Sequence, residues 1–262
     1  MLATVVGSRH AAQISRAELT ARLARLVGGP AWSHVQAPSI SSLAKAMPSV
    51  TSHEEVLDWL GVPSEERRQL HLEFDDVSAD LERAYMGASL TCPTEWAVEA
   101  ATSMSLYSLV RTRRPESVVE TGIANGHSSF IILSALARNG VGRLASVDVR
   151  QDTGVLVPHT LAERWTRIII EDRRPDLSVL TESLRPHEPF DLFLHDGDHR
   201  FLGQILDYKV GASGLAPDGV LMSDDIDASS AWLEASDLGL LPQRRLMLLD
   251  RRKAVGFATA NH

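Results

Sequence analysis

The sequence predicts an α/β protein with a mostly parallel, seven-stranded sheet that ends in an antiparallel hairpin and follows a helical N-terminal extension. From residue 117 onwards, short apolar runs alternate with stretches of helical pattern, which is typical of βαβ units and of a parallel sheet covered on both faces. The last two runs, 245–249 and 253–260, are separated by only three residues, so they can pair only as an antiparallel hairpin.

The predicted elements of this sheet follow one another in a regular order. A helix over 93–111 leads into the first strand, 117–122. Further strands alternate with helical stretches, and helix and strand runs together account for most of the chain from there to the hairpin. The further strand runs before the hairpin are 143–149, 167–171, 190–194 and 219–223, and the helical stretches are 128–137, 176–184 and 201–210.

Residues 1–92 show helical rather than strand periodicity. One amphipathic helix is predicted over 15–27. Another begins at Ser52, which with Glu55 three residues later resembles a capping box. We therefore divide the chain into a helical region, 1–92, and a sheet domain, 93–262. The helical region is expected to cover the active site, to contact the substrate or to form a contact between copies in a homo-oligomer.

Composition excludes several classes of protein. Of the 262 residues, 44% are apolar, so a sizeable core is expected. A net charge of -8 argues against a general nucleic-acid binder, which needs a basic surface. Cys92 is the single cysteine, so neither an intramolecular disulfide nor a cysteine-rich zinc site is expected. We find no signal peptide and no apolar run of the ~18–20 residues that a membrane span needs, so we expect a cytoplasmic protein without a membrane partner.

The loop after the first strand has two glycines, Gly122 and Gly126, four residues apart. Glycines let the backbone approach a ligand closely where a helix begins, although an ordinary glycine turn would look the same. The loop lacks the third glycine and the spacing of the dinucleotide motif. Asp148 ends the next strand, about twenty residues later, where an acid accepts hydrogen bonds from ribose hydroxyls. Together the two features predict a nucleoside-containing ligand.

Four aspartates are predicted to converge at the carboxyl edge of the sheet. Asp196 and Asp198 follow the fourth strand, and Asp224 and Asp225 follow the fifth. Like charges at close range raise one another's pKa, and a bound cation removes that cost. Oxygen ligands suit Mg²⁺, Ca²⁺ or Mn²⁺ better than zinc. The alternative is that these acids only cap helices and turns.

Three segments, 120–126, 190–199 and 219–225, together with Asp148, resemble class I S-adenosylmethionine-dependent methyltransferases. Within that class they look most like the metal-dependent O-methyltransferases, the group that contains catechol O-methyltransferase and the antibiotic-sugar O-methyltransferases. The resemblance covers about 93–260 and implies a Rossmann-like methyltransferase fold, which also requires the terminal hairpin.

The resemblance implies specific residues for the cofactor, S-adenosylmethionine. Gly122, Gly126 and Ser128 would hold its amino-acid part, with Glu120 beneath the loop. Asp148 would bind its ribose.

The resemblance also implies a metal site and an adenine contact. Asp172, after the third strand, would face the adenine. Asp196, Asp224 and Asp225 would hold a divalent metal, expected to be Mg²⁺.

The predicted reaction is direct transfer of the methyl group from the sulfonium to a substrate hydroxyl. A divalent cation would lower the pKa of the hydroxyl, and a nearby base would take the proton. Asp198 and His199 are the two candidate bases. His199 has the more suitable ordinary pKa, about 6.5, whereas Asp198 can serve if the metal already acidifies the hydroxyl. Both stay open.

The sequence departs from the catechol-type pattern in the loop after the first metal aspartate. Catechol-type enzymes place a lysine there as general base, whereas this loop reads Asp198-His199-Arg200. We therefore expect a saccharide or polyol as the small-molecule acceptor, with a phenol or catechol as the alternative.

Three other functions share part of this pattern. A nicotinamide-dependent oxidoreductase would share the sheet, the glycine turn and Asp148, but it does not explain the aspartates after the fourth and fifth strands. A catalytically inactive methyltransferase-fold binding subunit would be free to lose the glycine loop and the acids. A metal-independent enzyme could use the acids to recognise an amine.

Overall fold

A mixed sheet of eight strands runs through the structure, one strand more than the sequence predicted. The computed structural model describes residues 37–170 and 177–260, which belong to the unit Val35–His262. The strands are β1 (Ser49–Val50), β2 (Ser117–Thr121), β3 (Arg143–Asp148), β4 (Trp165–Ile169), β5 (Phe190–His195), β6 (Leu215–Ser223), β7 (Arg244–Asp250) and β8 (Lys253–Thr259).

The order of the strands confirms the predicted α/β class. The sheet runs β1-β7-β8-β6-β5-β2-β3-β4. Only β8 is antiparallel to its neighbours, β6 and β7, and it forms the predicted terminal hairpin with β7. The added strand, β1, has two residues and pairs parallel with β7, Ser49 opposite Met247. A strand of two residues is too short to show apolar alternation in the sequence. Its position is therefore evident only from its pairing with β7.

The helices lie between the strands, as expected for βαβ units. Helices α4 and α5 contact each other closely, and α8 packs on β5 and β6. Those within the described ranges are α1 (Ile40–Ala46), α2 (His53–Leu60), α3 (Ser64–Gly87), α4 (Ala100–Arg113), α5 (His127–Asn139), α6 (His159–Ala162), α7 (Leu177–Leu184), α8 (Phe201–Gly214) and α9 (Ala231–Asp237).

The start of α2 confirms the capping box read from the sequence. The Ser52 hydroxyl accepts a hydrogen bond from the Glu55 amide, and the Glu55 carboxylate accepts from the Ser52 amide. Gly61 ends the helix at φ +73°, a left-handed conformation that glycine adopts without strain. The helix therefore has defined ends on both sides.

The point where the chain order of the strands reverses lies between β2 and β5. From β2 the chain goes to β3 and β4 on one side, and then returns to β5 and β6 on the other. Such a reversal leaves a crevice at the carboxyl ends of the strands, where ligands bind in open α/β sheets. The central strands are buried on both faces, with Val118, Val119 and Phe193 at 1% exposure or less.

Some predicted features lie outside the described residues. These are the helix over 15–27 and the candidate adenine contact Asp172. None of the helices in the described ranges is long and apolar enough to cross a membrane.

Candidate active site

A cavity of about 470 Å³ opens at the carboxyl ends of β2, β3 and β5, at the reversal of strand order. This volume is in the range of small-molecule and cofactor sites. Four residues predicted from the sequence, Gly122, Asp148, Asp196 and Asp198, line it. Other lining residues include Cys92, Trp96, Thr121, Ala124, Arg150, Ile170, Val179, Leu180, Gly203, Leu206 and Asp207.

Gly122 is required where the ends of β2 and β5 meet. Its φ is +89°, and a Cβ at this position would lie 2.0 Å from the carbonyl oxygen of Asp196. The amide of Asp196 also donates a hydrogen bond to the carbonyl of Thr121. The glycine therefore lets the cofactor-side loop and the acidic loop touch through their backbones.

Asp148 holds the glycine loop from the end of β3. Its Oδ2 accepts hydrogen bonds from the amides of Ile123, at 2.8 Å, and Ala124, at 3.2 Å. Its Oδ1 accepts from the amide of Arg150. The sequence placed this acid at the ribose, and the structure adds that it fixes the shape of the loop as well as lining the cavity.

Glu120 lies beneath the loop, as the resemblance implied, and does not line the cavity. Its Oε2 accepts hydrogen bonds from the hydroxyls of Ser129 and Ser146, both at 2.6 Å. Complete burial raises its pKa, although the serine hydroxyls oppose the shift. Ser128 lines a narrow crevice beside the cavity, and Gly126 stands behind the lining at the start of α5.

Three predicted metal ligands reach the same edge, together with a lysine that sequence reasoning missed. Nζ of Lys253, the first residue of β8, lies 2.7 Å from Oδ2 of Asp224 and 3.2 Å from Oδ2 of Asp225. Asp224 is fully buried, and its Oδ1 has no hydrogen-bond partner among the described residues. Asp196 borders the same cluster. Within the described ranges, the carboxylate oxygens of Asp196, Asp224 and Asp225 do not come together as a set of three atoms, one from each residue, that all lie within 4.8 Å of one another.

The charges of this acidic cluster shift one another's pKa values. Burial, with the charge of Asp225, raises the pKa of Asp224 to about 6 despite the Lys253 ammonium. Burial and Asp224 raise the pKa of Asp196 well above its ordinary value. Burial would lower the pKa of Lys253, but the attraction of Asp224 and Asp225 outweighs it and raises the pKa. The ammonium is therefore charged, and it is the basic group that faces these three carboxyl groups.

The two candidate bases differ in their surroundings. Nε2 of His199 lies 3.5 Å from Asp225 Oδ2 and 3.7 Å from Asp196 Oδ1. Burial, followed by the neighbouring His195, lowers the pKa of His199 to about 4, so its ring is neutral at pH 7. Asp198 instead pairs with Arg200, Nη2 to Oδ2 at 2.7 Å. Burial by itself would raise the pKa of Asp198, but the hydrogen bonds from Arg200 outweigh it and lower this pKa.

A second buried pair supports the edge from α8. Nδ1 of His195 lies 2.6 Å from Oδ2 of Asp207, which also accepts a hydrogen bond from the Thr121 hydroxyl. The rings of His195 and His199 meet edge to face at 5.4 Å. His195 thereby positions His199. Asp207 stands in the middle of a helix, and no local sequence signal marks it.

The loop also contacts the helices before the sheet. The Tyr85 hydroxyl of α3 lies 2.9 Å from Nδ1 of His127, and the Ser103 hydroxyl of α4 lies 3.1 Å from its Nε2. Burial lowers the pKa of His127 to about 4. His127 is thus a structural residue that ties α3 and α4 to the start of α5.

Comparisons with known proteins agree with this geometry. A family described as a methyltransferase domain matches residues 119–226, which run from β2 to just beyond Asp225. A comparison with curated proteins finds no match.

Several solved structures share the fold. The O-methyltransferase from Bacillus cereus in complex with SAH is 13% identical, covers 79% of this chain and 96% of its own, and has a TM-score of 0.51. TomG from Streptomyces achromogenes, an O-methyltransferase involved in tomaymycin synthesis and bound to SAM, is 14% identical over 71% of this chain and 89% of its own, with a TM-score of 0.51.

A third similar structure contains a metal. MycE, a methyltransferase from the mycinamycin biosynthetic pathway in complex with Mg and SAH, is 16% identical, covers 70% of this chain and 54% of its own, and has a TM-score of 0.50. These likenesses, with the family match and the strand order, confirm the resemblance seen in the sequence. Residues 119–226 match a family described as a methyltransferase domain, and the chain has the fold of the class I S-adenosylmethionine-dependent O-methyltransferases.

Proposed function

We propose that this protein transfers a methyl group from S-adenosylmethionine to a hydroxyl oxygen of a small molecule, with the help of a divalent cation. The observation that carries the proposal is the shared wall of the cavity. Gly122 and Asp148 line its cofactor side, and Asp196 meets Gly122 through a backbone contact from the acidic side. A methyl donor on the loop would thus face an acceptor held at the acidic cluster.

The cofactor side has the features that an adenosyl group requires. Oδ2 of Asp148 accepts two backbone amides, whereas Oδ1 accepts one and keeps a further lone pair for a ribose hydroxyl. Ile170, Val179 and Leu180 add apolar surface to the lining. Asp172 follows Ile170 by two residues, and we assign it to the adenine. Gly122, Gly126 and Ser128 would hold the amino-acid part.

The acidic cluster fits a hard divalent cation by its donor set and by its charge. Asp196, Asp224 and Asp225 would hold the ion, and the buried Oδ1 of Asp224, which has no hydrogen-bond partner in the described part of the chain, offers an oxygen for it. The three carboxyl groups have one ammonium near them, Lys253, which contacts Asp224 and Asp225. When bound, such an ion acts as a Lewis acid that makes a hydroxyl more acidic. The similar structure of MycE holds Mg and SAH together.

His199 is the better candidate for the base. It is neutral at pH 7, so its ring nitrogen can accept the proton of a hydroxyl held beside Asp196 and Asp225. Both carboxylate oxygens of Asp198 already accept hydrogen bonds from Arg200, so they are less available to take the proton. His199 would take the hydroxyl proton while the hydroxyl oxygen accepts the methyl group. S-adenosylmethionine would supply that methyl from its sulfonium, which would become a neutral thioether.

For the acceptor we propose a saccharide or polyol. No lysine occurs in the loop 198–200, and Lys253 approaches from β8 as a charged ammonium engaged by two carboxylates rather than as a free base. A phenol or catechol is the alternative acceptor. We propose that the helical region 1–92 covers the site, contacts the substrate or joins copies of the chain. Within its described part, Tyr85 of α3 contacts the start of α5.

Calorimetry tests this proposal. Metal-stripped protein is titrated with S-adenosylhomocysteine, alone and with Mg²⁺ or Mn²⁺. We expect saturable binding, with a separate heat for the metal that is lost in Asp225→Ala and retained in Asp237→Ala, a matched change at an exposed site.

Each result has a distinct meaning. No binding of S-adenosylhomocysteine under any metal condition would overturn methyl transfer, and tight binding of a reduced nicotinamide cofactor would replace it. Full transfer in excess chelator would remove only the metal from the mechanism. Methylation of an amine with no effect of chelator would identify the metal-independent alternative.

A further inference from the structure

A second group of metal-ligand side chains lies outside the cavity, where α2 and α3 meet. His53 and Glu54 are the first two residues of α2, and His71 lies in α3. Nε2 of His53 lies 3.3 Å from Nε2 of His71 and 3.4 Å from Oε1 of Glu54. Nε2 of His71 lies 2.6 Å from the same Oε1. None of the three lines the cavity.

We propose that His53, Glu54 and His71 form a zinc site that clips α2 to α3. Zinc in proteins is bound tetrahedrally at about 2.0–2.2 Å by histidine nitrogen and carboxylate oxygen, so two of its ligand atoms are about 3.3–3.6 Å apart. Two of the three separations between these ligand atoms already lie in this range. The third, 2.6 Å between His71 Nε2 and Glu54 Oε1, is a hydrogen-bond distance, and a bound ion would lengthen it. Two imidazoles and one carboxylate are a donor set that zinc accepts.

Proton counting supports a cation rather than a closed hydrogen-bond network. Each imidazole Nε2 either carries one proton or offers one lone pair. If the Nε2–H of His71 donates a hydrogen bond to Glu54, this nitrogen has no lone pair left to accept a hydrogen bond from Nε2 of His53, which is 3.3 Å away. The three atoms therefore lie close together in pairs that the Glu54 carboxylate and two neutral imidazoles cannot all join by hydrogen bonds. A divalent cation at their centre contacts all three at once.

The surroundings orient the carboxylate and leave the site accessible. Oε2 of Glu54 is held by Nη1 of Arg67 at 3.3 Å, so Oε1 is turned towards the histidines. Arg67 is itself fixed by the carbonyl of Val62. The side chains of His53, Glu54 and His71 are 24%, 43% and 41% exposed, so zinc can enter from solvent and a water can be its fourth ligand.

The position of the site indicates a structural role. The ligands come from both sides of the turn between α2 and α3, and α2 packs on β7 and α4. Binding would cross-link two helices next to the sheet and stabilise the folded state by mass action. The zinc would not take part in methyl transfer.

Zinc binding to the full chain tests the proposal. Metal-stripped protein is titrated with Zn²⁺ in competition with a colorimetric chelator, and Co²⁺ is added separately to report four-coordinate geometry by its visible absorption. Loss of an outer-shell partner costs about 10–100-fold in affinity, so we expect loss of a ligand in His71→Ala or Glu54→Gln to cost more than about 100-fold.

Matched variants separate this site from others. His159→Ala, at an exposed histidine in α6, and Asp225→Ala, at the candidate active site, should both retain the zinc and the Co²⁺ spectrum. Zinc should raise the melting temperature of the wild type and not that of Glu54→Gln, which keeps the size of the side chain. Unchanged zinc affinity in His71→Ala and Glu54→Gln, or failure of the wild type to bind zinc, would overturn the proposal.

Discussion

Replacing Lys253 with methionine tests the charge balance of the active site. The Lys253 side chain is 11% exposed and contacts Asp224, which is fully buried, at 2.7 Å. Removing one partner of a buried ion pair costs about 3–5 kcal/mol, because the other charge is left without compensation. Methionine keeps the apolar stem, so the change isolates the ammonium. We expect the free energy of unfolding to fall by that amount at pH 8.

The loss of stability in Lys253→Met should become smaller as the pH falls. Asp224, whose pKa is already near 6, can take a proton when the Lys253 ammonium is removed. The assay is urea denaturation followed by circular dichroism at pH 8 and pH 5.5. Lys45→Met, at an exposed lysine in α1, is the matched control and should change stability by less than about 0.5 kcal/mol.

A double-mutant cycle completes this experiment. In the Asp224→Asn background, Lys253→Met should cost about 1–3 kcal/mol less than in the wild type, because the main partner is already neutral. Added Mn²⁺ should stabilise Lys253→Met at least as much as the wild type, since a competing cation has been removed. Wild-type stability in Lys253→Met, together with zero coupling to Asp224, would refute the assignment of Lys253 as the charge-balancing group.

Three further predictions concern acid stability, the glycine loop and the base. Arg111 lowers the pKa of Glu73 to about 2 against the opposing effect of burial, so ionised Glu73 stabilises the fold above its unfolded pKa. In denaturation curves, the roughly 3 kcal/mol by which the wild type is more stable than Glu73→Gln should disappear between about pH 5 and pH 2. A difference in stability that does not change with pH would contradict this. Gly122→Ala should abolish S-adenosylhomocysteine binding in calorimetry and destabilise the fold by more than about 2 kcal/mol, whereas Gly239→Ala, at φ +67° with nothing within 4 Å of the new Cβ, should cost only about 1 kcal/mol; equal effects would argue against the clash. His199→Asn should lower kcat by about 10²–10⁴-fold in methyl-transfer assays while leaving cofactor affinity within a few-fold, and an unchanged kcat would eliminate His199 as the base.

Local signals predicted most of the sheet and the loop that borders its cavity. Apolar runs predict strands β2 to β8 to within a few residues of their observed ends, because buried strands need continuous apolar faces. The hairpin followed from a three-residue link. The capping box at Ser52 was visible because both of its hydrogen bonds join residues three apart. These features depend on neighbours along the chain.

Features that depend on distant pairing were not predictable in the same way. Strand β1 exists only because β7 offers an edge to two residues nearly two hundred positions away. The salt bridge between Arg200 and Asp198, which disfavours Asp198 as the base, is a choice of side-chain rotamer that the sequence leaves open. His53 and His71 are 18 residues apart, and only the packing of α2 against α3 brings their rings together.

The sequence by itself determined the fold class, the position of the cofactor loop and the edge of the sheet where the acids gather, because period, turn length and strand-end chemistry are local properties of the chain. Only the tertiary structure decided the charge state of that edge. Lys253 is one of three lysines in the chain, and nothing in its sequence neighbourhood links it to Asp224. The antiparallel register of β8 with β6, Gly256 opposite Ser223, places its ammonium on the carboxylates. Burial then makes that contact strong, since a charge removed from water must find its counter-charge within the fold.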